Sequence, residues 1–118
     1  MTFAGEEKRK HPRVKANFIV SYRVLEELDN VDISQTKNLS VGGMLVTTNR
    51  FFPEGTKLAL KIRLPFDPHP IEIAGVVLES REIVKELIYD TRVEFFSINE
   101  RHHGVMTQTV DYYLRKKG

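Results

Sequence analysis

The chain has 118 residues, the usual size of one domain, long enough for one apolar core and too short for two. Its 41% hydrophobic and 29% charged residues match an ordinary globular protein, and the absence of cysteine excludes disulfides, thiolate zinc sites and cysteine redox chemistry. A net charge of +2 is too small for a protein that wraps nucleic acid over its whole surface, so any anion site must be local.

Residues 1–16 carry Lys8, Arg9, Lys10, His11, Arg13 and Lys15, and Pro12 biases His11 away from helix, so this stretch reads as a flexible, irregular basic arm without apolar anchors. From Asn17 the pattern alternates, with Phe18, Val20, Tyr22 and Val24 on one face, which predicts a half-buried strand. A second strand is predicted over Val31 to Leu39, with Val31, Ile33 and Leu39 inward against Asp32, Ser34, Thr36 and Asn38. It ends in the turn signal Ser40-Val41-Gly42-Gly43, and a third strand, Met44 to Thr48, follows at once. Lys57 to Leu64 alternates most cleanly. Ile71 to Ser80 is a fifth strand interrupted at Gly75 as by a bulge, and Tyr89 to Phe96 a sixth. The period then becomes helical, with Val105, Met106, Val110, Tyr113 and Leu114 on one stripe and Ser97-Ile98-Asn99-Glu100 fitting a capping box.

These elements predict one all-β domain over 1–118: the arm (1–16), a six-stranded antiparallel barrel (17–97) and a C-terminal helix (98–116) covering its open end or side. No apolar run approaches the ~18 residues of a membrane span, and the start MTFAGEEKRK lacks a secretory apolar stretch, so a cytoplasmic location is expected.

Two segments carry chemistry. Arg9 and Arg13 offer planar guanidinium forks that match phosphate oxygens or the O6/N7 edge of guanine, and their flat faces stack on bases. Taken alone, such an arm also fits a solvated surface or a loose nucleic-acid contact. In Asn38-Leu39-Ser40-Val41-Gly42-Gly43 strand geometry puts the Asn38 amide and the Ser40 hydroxyl on one face, and the glycines allow close approach; an ordinary hairpin turn fits as well. His102 and His103 diverge by about 100° on the predicted helix, unlike the i, i+4 spacing of helical metal ligands, and are expected to be solvated. Ser40 has no His/Asp partner nearby and no nucleophile-elbow sequence, and no phosphate loop exists, so the chain is not read as an enzyme.

Together, Arg9-Lys10-His11-Pro12-Arg13 resembles the RxxxR motif of the PilZ family, and Asn38 to Gly43 resembles its (D/N)xSxxG motif, in the family's order. Gly55, Leu64-Pro65, Ile71 to Val77 with its central glycine, and Val93-Glu94-Phe95 resemble its barrel landmarks, so the resemblance spans the whole chain. It implies a cyclic di-GMP receptor without a further cofactor or metal. Arg9 and Arg13 would hold phosphate and guanine, Asn38 and Ser40 would hydrogen-bond the ligand, and Gly42 and Gly43 would shape the turn. Lys8, just before the first arginine, would influence whether one or two ligand molecules bind, with Lys10 the other nearby cation. Asn38 stands where many members have aspartate, and Arg92 where the family often places glycine. The implied output is a change of arm conformation read by a downstream protein. The alternatives are a small nucleic-acid-binding barrel and a protein-interaction domain that keeps the fold without the ligand.

Overall fold

The computed structural model describes residues 11–117. Strands β1 (Ile19–Val24), β2 (Asp32–Leu39), β3 (Gly43–Thr48), β4 (Lys57–Ile62), β5 (Ile71–Val84) and β6 (Ile88–Ile98) precede helix α1 (Glu100–Lys117). All pairings are antiparallel, and the order β1-β2-β3-β6-β5-β4 closes on itself where β4 pairs with β1. The alternating apolar positions explain the closure, because Val20, Tyr22, Val46, Leu58, Leu60, Ile62, Ile71, Ile73, Val77 and Val93 are all buried inside it. Gly75 sits at a register shift in the β5–β6 ladder, and a Cβ there would lie 2.5 Å from Val93 Cγ1, so the expected bulge is also a point of close packing.

Strand β2 differs from its alternation. Its register against β1 pairs Ser34 with Val20 and Asp32 with Tyr22, which leaves Ile33 74% exposed and Val31 exposed, not inward. Thr36 is instead fully buried, its hydroxyl accepting from Phe18 N (2.9 Å) and donating to Ala16 O (2.8 Å). A register shift between Thr36 and Asn38 then reverses the phase, so Leu39 turns into the core and Asn38 outward.

The apolar anchoring also begins earlier than expected. Val14 is buried and forms an isolated antiparallel bridge with Leu39, both backbone bonds at 2.9 Å, so residues 13–16 are not an unanchored arm. The β5–β6 hairpin runs on to Val84 and from Ile88, beyond the predicted ends. Its tip is exposed on both faces, so no half-buried alternation marks it in the sequence.

Ser97 is strand, paired with Ala74, and not the helix cap; Asn99 takes that role through Oδ1, which accepts from His102 N at 2.8 Å. Helix α1 buries Met106 and Val110 against the barrel, and Tyr113 meets Phe18 edge-on at 5.4 Å. His102 is half-buried, not simply solvated, since its Nδ1 accepts from Glu72 N at 3.1 Å. Among the described residues no helix is long and apolar enough to cross a membrane.

Candidate functional site

The phase reversal in β2 builds the site. With Leu39 held inside by Val14 and by its pairing with Met44, the next turn is fixed relative to the barrel wall. Ser40 N donates to Gly43 O at 2.9 Å, and Ser40 Oγ accepts from Gly42 N and Gly43 N, both at 3.1 Å, while donating to Gly43 O at 3.2 Å. The hydroxyl's donor and both lone pairs are therefore engaged inside the turn, which makes Ser40 a shaping residue in this state. Phe95 N donates to Gly42 O at 2.9 Å and ties the turn to β6.

Each glycine has its own reason. A Cβ at Gly43 would overlap the Val93 carbonyl, so only glycine lets β3 approach β6 here. A Cβ at Gly42 would lie 2.5 Å from the His11 ring, which packs over the turn.

The bridge between Val14 and Leu39 also sets which polar groups become neighbours. Continuing its antiparallel register, Arg13 stands across from Ser40 and Lys15 across from Asn38, both exposed. Asn38 is half-buried, and its Oδ1 is buried without a hydrogen-bond partner among the described residues. Lys37, at the bulge, is held by an ion pair of 2.7 Å to Asp90 on β6. Asn38 pairs with Leu45 on β3, and Leu45 with Arg92 on β6, so one outward row reads Lys15, Asn38, Leu45, Arg92.

Of the sequence-predicted residues, Arg13, Asn38, Ser40, Gly42 and Gly43 come together on this face, and Lys8, Arg9 and Lys10 lie outside the described residues. Lys15 was missed. Its spacing of two from Arg13 was the available signal, because in extended chain residues i and i+2 share a face. Among the described residues no cluster of three metal-ligating side chains forms.

This outer face combines an arginine beside the Val14–Leu39 bridge, an amide oxygen unpartnered among the described residues and a glycine turn covered by the movable His11 ring, an arrangement suited to a planar, anionic ligand. The family model of the PilZ domain matches residues 7–112. The fold is similar to the motility inhibitor MotI/DgrA of Bacillus subtilis (TM-score 0.73, 25% identity, 92% of this chain and 51% of that one). It is also similar to the PilZ domain of YcgR from Escherichia coli, solved with c-di-GMP (0.66, 12%, 93% and 94%). A third likeness is to the MrkH–c-di-GMP complex from K. pneumonia (0.68, 17%, 92% and 54%). The chain thus spans about half the length of the B. subtilis and K. pneumonia proteins. No curated protein matches the sequence significantly. With Arg13 and the Asn-x-Ser-x-x-Gly turn on one face of a six-stranded barrel, and with the family match over most of its length, the chain belongs to the PilZ domain family.

Proposed function

We propose that this chain is a receptor for cyclic di-GMP, a binding module and not an enzyme, whose arm changes conformation on the ligand and so signals to a protein partner in the cytoplasm. The observation that carries the reading is the Val14–Leu39 bridge, which lays Arg13 alongside the Asn38–Gly43 turn with the Asn38 Oδ1 still unpartnered among the described residues. Arg13 and Arg9 bind phosphate oxygens or the guanine edge. Asn38 Oδ1 accepts from guanine N–H groups, more weakly than the carboxylate of an aspartate would. Ser40, Gly42 and Gly43 hold the turn so that the ligand approaches the backbone closely, and Lys8 and Lys10 supply further positive charge. Two of the similar structures, from E. coli and K. pneumonia, were solved with this ligand, which supports the choice.

Calorimetric titration with cyclic di-GMP tests the reading. Arg9→Ala and Arg13→Ala each remove charge-assisted hydrogen bonds of about 1.5–3 kcal/mol, so each is expected to weaken binding roughly tenfold to a hundredfold. Two variants that titrate like the wild type would remove the arm from the site. The salt dependence separates this ligand from a nucleic-acid strand: each cyclic di-GMP bound, with its two phosphates, gives a slope of about two at most, whereas a strand engaging many phosphates in one event gives a steeper one.

A further inference from the structure

Arg92 stands on the outer face of β6, between the buried Thr91 and Val93, and is itself half-buried. Its register partner on β3 is Leu45, whose partner on β2 is Asn38, so Arg92 lies two strand spacings from Asn38, roughly 10 Å, on the same face. Three acidic side chains lie nearest it in the ladder: Glu79, its partner on β5, and Asp90 and Glu94, each two residues away along β6, with Asp90 held by Lys37 at 2.7 Å. Glu79 and Glu94 are exposed, and the Arg92 guanidinium makes no ion pair or hydrogen bond with any of the three, or with any other described residue. A register shift between Val77 and Glu79 interrupts the ladder at that point. Arg92 is half-buried as a residue while no nitrogen of its guanidinium is buried, so its aliphatic stem packs on the barrel wall and its head is open to an anion. Asn38 Oδ1, in the same row, is an acceptor without a partner among the described residues, so the row presents a cation and an amide oxygen on either side of the half-buried Leu45.

We infer that Arg92 is a third arginine of the ligand site, binding a phosphate of cyclic di-GMP across Leu45 from Asn38. The inference rests on the proposed function and extends it to a residue outside both motifs. The site then spans β2, β3 and β6 and is closed from two sides by cations, the arm's Arg13 and the barrel's Arg92.

The test is calorimetric titration of wild type, Arg13→Ala, Arg92→Ala and Arg92→Gln with cyclic di-GMP, alongside urea unfolding of each. Arg92→Ala is expected to weaken binding about tenfold or more and to lower the salt slope by about one, with the unfolding midpoint unchanged. Should alanine disturb folding, Arg92→Gln keeps much of the aliphatic stem and some hydrogen bonding and is expected to show the same loss of slope. If Arg13→Ala loses binding while both Arg92 variants keep the wild-type affinity and slope, the role of Arg92 is overturned and the receptor reading stands. If the wild type does not bind cyclic di-GMP, both fall.

Discussion

The methyl group that an alanine would add at Gly43 points at the carbonyl of Val93, a backbone atom with no rotamer to escape into. Gly43→Ala must therefore displace β3 from β6 or distort the Ser40 turn, a strain of about 1–3 kcal/mol. At Gly42 the obstacle is the His11 imidazole, which can swing away, so Gly42→Ala is expected to leave barrel stability nearly unchanged. Urea unfolding of the two variants checks this: a lower midpoint for Gly43→Ala alone is expected, and equal losses would contradict the assignment. The pair of glycines was legible in the sequence as a turn, but which one the fold requires was not, because the answer depends on a β6 carbonyl fifty residues away. Asn38 and Ser40 show the same division. Their spacing predicts neighbours, yet only the bonds formed show that Ser40 Oγ is engaged by its own turn while Asn38 Oδ1 is without a partner among the described residues.

Among the elements, β1 and β4 were readable because each keeps one phase from end to end. Strand β2 was readable in extent but not in facing, because a bulge at Lys37 is invisible to a period-two pattern, and it is this bulge that brings Asn38 to the outer face. The docking of α1 was legible through Met106 and Val110, whereas its polar latch was not. Asp67 lies in the proline-rich turn between β4 and β5 and is buried; its Oδ1 accepts from His69 N at 2.9 Å and its Oδ2 from Arg101 Nη2 at 3.0 Å. The His69 amide bond is the main cause that holds the Asp67 carboxyl below its ordinary value; burial opposes the shift, and Arg101 adds to it. A carboxyl with a depressed folded-state pKa binds its proton less readily folded than unfolded. Its stabilising contribution is therefore complete above the ordinary carboxylate value and is lost as pH falls through the lower folded one. Asp67→Asn is expected to be less stable than the wild type at pH 7, with the gap narrowing on acidification below the ordinary carboxylate range. Unfolding midpoints of both proteins across that range decide it; a gap independent of pH would exclude the charge of Asp67 as the cause.

On the scale of the whole molecule the charge balance bears on how many ligands one chain accepts. The net charge is +2, yet Lys8, Arg9, Lys10, Arg13 and Lys15 fall within eight residues that lead onto the Asn38 turn. Two stacked molecules of cyclic di-GMP would bring four phosphate charges to that face. Two unit charges about 7 Å apart at an effective dielectric of about 20 interact by roughly 2 kcal/mol, so each nearby cation shifts the affinity for the second molecule by something like tenfold or more. Arg9 and Arg13 alone leave the pair under-neutralised, and Lys8, directly before the first arginine, is a suitable further cation. A stacked pair per chain is therefore expected, with Lys8 acting as a flexible point charge that screens the second molecule without the bidentate grip of an arginine. Lys8→Leu removes that charge and leaves both arginines in place. It is expected to move the calorimetric ratio from two ligands per chain toward one while binding of the first molecule persists. One ligand per chain for both wild type and Lys8→Leu would show that the pair does not form and that Lys8 does not set the stoichiometry.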